Sequence, residues 1–305
     1  MEKRDTLYIG GEWVAPSTST QIEVISPYTE EAIGVVPEAR EADVDRAVDA
    51  ARAAFDDGNG AWPQTSPKER ADTIRAISQA IQARMQEFAD LITAENGAPA
   101  SFSLMGQVLA STMVLDGFAD LTENYAFEEE RPGALGPCLV RKAPVGVAAG
   151  IIPWNVPLFI TSMKLGACLA SGSTMVLKPA PETPLDAYLL AEVLESVGLP
   201  KGVVNIVAAG REVGEYLVRH PGVDKVSFTG STAAGRTVGA ICGEQLKRCT
   251  LELGGKSAAV ILDDADLAAT IPALLPSAIM NNGQACVAQT RILAPRSRYD
   301  EVVDA

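Results

Sequence analysis

Apolar residues recur at two distinct spacings along the 305-residue chain, and the two alternate. Leu7-Tyr8-Ile9-Gly10-Gly11-Glu12-Trp13-Val14 predicts a hairpin turned at its double glycine. Val44, Ala47, Val48, Ala51 and Phe55 share one face of a helix over 41–56. Pro67 opens a second helix that runs through Ile74, Ile77, Ile81 and Met85, and a third is expected from Ser103 to Tyr125. Pro132, Gly133, Gly136 and Pro137 then punctuate short strands, Cys138–Lys142 among them, that predict an extended hairpin leaving the main body.

From Val145 onward the period switches back and forth. Apolar strands are predicted at Val145–Ile152, Thr174–Lys178, Val203–Val207, Lys225–Phe228 and Ala258–Leu262. Helices are predicted between them at Leu158–Ala170, Leu185–Val197, Val213–Arg219 and Ala233–Gly243. Such alternation predicts an α/β fold with a parallel, doubly wound sheet. Ligands of that architecture bind beyond the carboxyl ends of the strands. Pro153-Trp154-Asn155 follows the first of these strands, Lys178-Pro179 the second and Thr229-Gly230-Ser231 the fourth.

The composition narrows the class. With 47% hydrophobic and 21% charged residues, the chain reads as an ordinary globular protein. A net charge of −14 argues against a nucleic-acid partner, which requires clustered Lys and Arg. No signal peptide and no apolar run long enough to cross a membrane is read, so a cytoplasmic location is expected. The five cysteines, Cys138, Cys168, Cys242, Cys249 and Cys286, contain no C-x-x-C pair. Neither a zinc ribbon nor a disulfide framework is expected, and no metal site is read. The first four are expected to be small buried apolar residues. The single histidine, His220, lies in a helix-to-strand turn and is expected to be solvated. A base for a reactive cysteine would then be a carboxylate or water.

No G-x-G-x-x-G follows any predicted strand. Gly230-Ser231-Thr232-Ala233-Ala234-Gly235-Arg236-Thr237 falls one residue short of a phosphate-binding P-loop, because Arg236 stands where lysine is required. Arginine does not replace that point charge, which argues against an NTPase. The glycines and the helix start still make a seat for a pyrophosphate.

Three segments carry candidate chemistry. Cys286 sits in Asn281-Asn282-Gly283-Gln284-Ala285-Cys286, and Glu252 lies upstream in Leu251-Glu252-Leu253-Gly254-Gly255-Lys256, just past a predicted strand. A thiolate can attack a carbonyl, and the resulting acyl group then needs a base that activates water. Asn155 offers an amide of the kind that holds a developing oxyanion, or it simply caps the helix that follows. In their chain order, Pro153-Trp154-Asn155, Phe228-Thr229-Gly230-Ser231, the Glu252 segment and the Cys286 segment resemble the NAD(P)-dependent aldehyde dehydrogenase family over essentially the whole chain.

The resemblance implies a Rossmann-like dinucleotide-binding domain over 1–122 and 146–253, an oligomerisation hairpin over 123–145 and the start of an α/β catalytic domain over 254–305. It implies an aldehyde substrate, NAD or NADP with NAD favoured, a cysteine thioester, no membrane and a homo-oligomer. Catalytic roles fall on Cys286, Glu252, Asn155 and Lys164, although Lys164 also reads as a surface helix lysine. Cofactor contacts fall on Ile152, Pro153, Trp154, Lys178, Glu182, Gly210, Phe228, Thr229, Gly230, Ser231 and Leu253. In the family, the equivalent of Ser231 touches the pyrophosphate and the Lys178 equivalent the adenosine ribose. A glutamate often stands three residues after that lysine. This chain has Pro181 there, with Glu182 one place on. Family members also continue well past the cysteine segment, so a non-catalytic cofactor-binding or structural remnant is the alternative reading.

Overall fold

A computed structural model describes residues 1–305. Its centre is set by strands Val147–Ile151 and Thr174–Lys178, in which every residue is buried. A strand that hides both faces needs a layer on each side, and alternate residues supply the two contacts. Val147, Ala149 and Ile151 join one apolar cluster with helices Glu41–Phe55, Arg211–Arg219 and Thr232–Glu244. Ala148, with Met175 and Leu177 of the neighbouring strand, joins the other. That second cluster holds helices Pro67–Ala83, Pro157–Ala170 and Leu185–Ser196.

Seven strands make the main sheet, in the order Arg248–Leu253, Lys225–Gly230, Val147–Ile151, Thr174–Lys178, Val204–Ile206, Leu7–Ile9, Glu12–Val14. The first five pair in parallel. The amino-terminal hairpin adds two antiparallel strands at the far edge, turned at Gly10 and Gly11 with φ of 67° and 75°. The chain works outward from Val147–Ile151 to one edge and then returns to build the other side. The order therefore reverses between Val147–Ile151 and Lys225–Gly230, which is where a doubly wound sheet opens a ligand crevice.

Several expectations need correction. The helix from Pro67 does not continue to Met85. It starts with a Ser66–Glu69 capping box, ends at Ala83, and restarts as Met85–Asn96 after a kink at Arg84 (φ −110°, ψ 22°). The third helix begins at Ala100, earlier than expected, and widens to a π-helical segment over Ser103–Leu109 before Ala110–Asn124. This continuous run, Ala100–Asn124, is long and apolar enough to cross a bilayer by length and composition, contrary to the sequence reading. Here it buries Val108, Leu115 and Ala119 in the core beside Pro67–Ala83 and Pro157–Ala170. Ala258–Val260 does not join the main sheet; it pairs with Arg291–Leu293 in a separate two-stranded one. A three-stranded sheet of Glu2–Lys3, Ala32–Pro37 and Gln21–Ile25 was not foreseen.

Cys168 and Cys242 are buried as expected, whereas Cys138 and Cys249 are exposed. Cys138 lies on the protruding hairpin Glu128–Arg131/Cys138–Arg141, and Cys249 lies on the edge strand of the sheet. His220 is half-buried rather than solvated. Its Nδ1 accepts from the Gly222 N–H at 3.0 Å, and its Nε2 lies 3.2 Å from Asp45 Oδ1.

Gly202 leads into Val204–Ile206 with φ of 78°, and a Cβ there would lie 2.4 Å from the Ala50 carbonyl oxygen. Both obstacles are backbone, so no rotamer relieves them. Gly202→Ala should destabilise the fold by about 2 kcal/mol or more. A thermal melt indistinguishable from wild type would contradict this account of the helix–sheet contact.

Candidate active site

Strand Lys225–Gly230 extends two residues further than its apolar pattern suggested, and Arg248–Leu253 pairs with it throughout. Thr229 therefore stands opposite Glu252, and Gly230 opposite Leu253. Glu252 is inside the strand rather than just past it. Strand alternation turns Thr229 and Glu252 to one face. It turns Leu251 and Leu253 to the other, against Gly239 and Gly235 of helix Thr232–Glu244. A Cβ at Gly235 would lie 2.4 Å from Leu253, so this helix start sits close against the strand.

That helix begins at Ser231, whose Oγ accepts from the Ala234 N–H at 3.2 Å. The helix start, Ser231 and Ala234, lines the crevice, and free N–H groups of a first helical turn are the kind that suit an anion. At Gly230 a Cβ would meet the Phe228 ring at 2.6 Å. The Thr229 Oγ1 is buried without a protein partner.

A cleft of about 1020 Å³ opens at this point. It is lined by Ile152, Pro153, Trp154 and Asn155 after one strand, and by Phe228, Thr229, Gly230 and Ser231 along and after the other. Lys178, Glu182, Glu252, Leu253 and Cys286 complete the predicted residues that it gathers. Two predicted residues lie elsewhere. Gly210 is the N-cap of helix Arg211–Arg219 and does not line the cleft, although Arg211 does. Lys164 lines a second cavity, of about 330 Å³, that shares Ile160, Thr229 and Glu252 with the first.

Neither candidate lysine is a surface residue. Lys164 is 8% exposed and donates to Ser227 Oγ at 2.9 Å. Burial pushes its ammonium down to about 8, against the opposing pull of the Glu252 charge. Lys178 is 5% exposed and donates to the carbonyls of Pro179 and Ala209 at 2.9 and 2.7 Å. Burial lowers it to about 8 as well, opposed by the Glu182 charge.

The cysteine loop is held by amides. Asn155 does not cap the following helix, whose N-cap is Val156 without a side-chain bond. Instead its Nδ2 donates to the Gln284 carbonyl at 2.7 Å, two residues before the thiol. Only one of its two amide hydrogens is used there, so the other is open to a ligand oxygen. The Asn155 carbonyl accepts from Asn281 Nδ2 at 2.9 Å and from Asn96 Nδ2 at 3.2 Å. Asn282 Nδ2 donates to the Gly97 carbonyl at 2.9 Å. Asn281, Asn282 and Gly283 all adopt left-handed φ, of 50°, 58° and 76°. Sequence reasoning quoted Asn281 only as part of a motif and passed over Asn96. Asparagine is the residue that tolerates left-handed backbone and also donates, and that was the available signal. Reasoning also missed the apolar walls Val218, Ala234, Val238 and Ile241, which come from the faces of two amphipathic helices.

A family model described as the aldehyde dehydrogenase family matches residues 13–305. The chain belongs to that family. A geranial dehydrogenase of Castellaniella defragrans is 46% identical over 300 residues, covering 98% of this chain and 62% of its own length. A Mycobacterium tuberculosis aldehyde dehydrogenase complexed with NAD+ superposes with a TM-score of 0.96 at 51% identity, covering 99% of this chain and 62% of that one. Aldehyde dehydrogenase C of Pseudomonas syringae, a cysteine-to-alanine variant with NAD+ and octanal, gives 0.93 at 40% identity, covering 98% and 60%. The chain thus spans about three-fifths of the length of these relatives.

The lowered lysine predicts a pH effect. Lys164 titrates below its ordinary 10.5, so the unfolded chain binds the extra proton between about 8 and 10.5. Burying it therefore costs stability below pH 8, and that cost fades as pH rises through the window. Lys164→Met should be more stable than wild type at pH 7.5, by up to about 3 kcal/mol, with the gap closing toward pH 10.5. Denaturant unfolding at both pH values checks this, and a gap independent of pH would contradict it.

Proposed function

We propose that this chain carries the cofactor seat, nucleophile and base of an NAD(P)-dependent aldehyde dehydrogenase. The reaction is oxidation of an aldehyde to a carboxylic acid through a thioester on Cys286. One observation carries the reading: Asn155, Glu252 and Cys286 line the same cleft as Thr229, Gly230 and Ser231, at the point where the strand order reverses.

The residues fit a dinucleotide. Thr229 presents an unpartnered buried hydroxyl, and Ser231 heads a helix whose N–H groups suit a pyrophosphate. Val218, Val238 and Ile241 offer an apolar wall for a flat ring. NAD+ complexes of the Mycobacterium tuberculosis and Bacillus cereus relatives support the same choice. When bound, the nicotinamide supplies the hydride acceptor. The chain's own groups do the rest. The Cys286 sulfur bonds to the aldehyde carbon, and the free Asn155 N–H faces the oxygen that becomes negative. Removing one such donor costs about 100- to 1000-fold in rate. After loss of hydride the carbon is a thioester. Glu252 takes a proton from water, the hydroxide adds to that carbon, and the C–S bond breaks to return the thiolate.

The wider context follows the same reading. Five free cysteines suit the reducing cytoplasm, and the exposed Leu135 and Leu139 of the hairpin suit a homo-oligomer contact.

Cys286→Ala should abolish NADH formation while cofactor binding persists. Glu252→Gln should leave a burst of NADH followed by slow turnover, because water activation is needed only after hydride transfer. Aldehyde oxidation by Cys286→Ala at the wild-type rate would end the proposal. Equal loss of burst and steady rate in Glu252→Gln would move that residue to an earlier step, and absence of any burst in the wild-type chain would favour the remnant.

Cofactor preference is a separate expectation. Pro181 and Glu182 both line the cleft. A carboxylate at the ribose repels a 2′-phosphate, and proline at 181 does not. NAD should be used with measurable acceptance of NADP, and Pro181→Glu should sharpen the preference for NAD. Strict NAD specificity that collapses in Glu182→Ala, read from kcat/KM for both cofactors, would assign the role to Glu182 instead.

A further inference from the structure

Asn281 is 3% exposed, and its backbone adopts a left-handed φ of 50°. Its Nδ2 reaches two carbonyl oxygens, that of Asn155 at 2.9 Å and that of Gln284 at 3.3 Å. The Gln284 carbonyl is also the acceptor for Asn155 Nδ2. One buried amide thus joins the two loops that carry the oxyanion donor and the thiol. Its Oδ1 is buried without a partner, so the fold tolerates an unsatisfied acceptor to keep the amine end in place. Left-handed backbone could be met by glycine at no cost, and glycine already stands at the next-but-one position, Gly283. A side chain that is buried, half-satisfied and conformationally costly is hard to account for by backbone shape alone.

We propose that Asn281 is a positioning residue, whose carboxamide sets the register between the Asn155 amide and the Cys286 thiol without touching substrate. This rests on the aldehyde dehydrogenase reading of the site. Loss of the clamp would let the strand-end loop and the cysteine loop shift independently. The Asn155 donor would then miss the oxygen it must meet, and a displacement of about 1 Å is enough to cost large factors in rate.

Two substitutions separate the amide from the backbone. Asn281→Gly keeps the left-handed conformation and deletes the clamp. Asn281→Asp also tolerates that conformation but turns carboxylate oxygens toward two carbonyls. Both should lower the NADH burst rate at least tenfold, with KM for aldehyde and the Kd for NAD+ little changed. In a double-mutant cycle, Asn155→Ala with Asn281→Gly should be scarcely slower than Asn155→Ala alone, since Asn281 acts through Asn155. Backbone amides of 284–288 should exchange at least tenfold faster in both Asn281 variants. A wild-type burst in Asn281→Gly, or losses that add fully in the cycle, would overturn the proposal. Failure of the aldehyde reading looks different: it shows as turnover that survives Cys286→Ala, or as no burst at all. In that case exchange of 284–288 still decides whether the amide holds the loop, and unchanged exchange in both variants rejects it.

Discussion

The parallel pairing of Val147–Ile151 with Lys225–Gly230 is the contact on which the rest of the molecule depends. Because the chain leaves one of these strands toward one edge and the other toward the opposite edge, their following loops must diverge. Asn155 descends from the first strand, Ser231 heads the helix after the second, and Glu252 is fixed by one further parallel register. The cleft is thus a consequence of strand order, walled by strand ends, by faces of helices Arg211–Arg219 and Thr232–Glu244, and by the cysteine loop.

Much of this was legible in the residues. Continuous apolar runs such as Thr174–Lys178 identify central strands, since only a doubly covered strand lacks polar alternation. Thirteen of the fifteen site residues that the resemblance implied line the cleft, and several of them, such as Ile152–Asn155, Lys178 and Thr229–Ser231, lie where apolar runs stop. The failures have local causes. Arg84 breaks a pattern whose apolar period continues across it, and periodicity is blind to a kink that preserves the face. Thr229 and Gly230 were placed just past the strand, where the apolar run ends, but tertiary pairing with Glu252 and Leu253 keeps them in the sheet. Gly210 was placed by resemblance alone, and the geometry puts its neighbour Arg211 at the cleft instead.

The asparagine contacts were beyond the sequence for a different reason. Asn96, Asn155 and Asn281 are separated by 59 and 126 residues along the chain, and no period or spacing relates them. Only the folded loops bring three amides and two carbonyls together. Hydrogen-bonded networks of this kind fix one arrangement among several compact ones, which burial of apolar area cannot do.

The two buried lysines have a chemical meaning in a chain that is proposed to handle aldehydes. Burial lowers both amines well below their ordinary range and so favours the neutral form, and a neutral amine condenses with a carbonyl to form an imine. A cleft proposed to work through the Cys286 thiol must therefore guard against its own nitrogen nucleophiles. Lys178 has its nitrogen committed to two backbone carbonyls, and Lys164 turns toward Ser227 in the adjoining cavity, behind Thr229 and Glu252. The same burial that favours the neutral amine also keeps both nitrogens occupied, which is what a proposal that assigns the nucleophile to Cys286 requires.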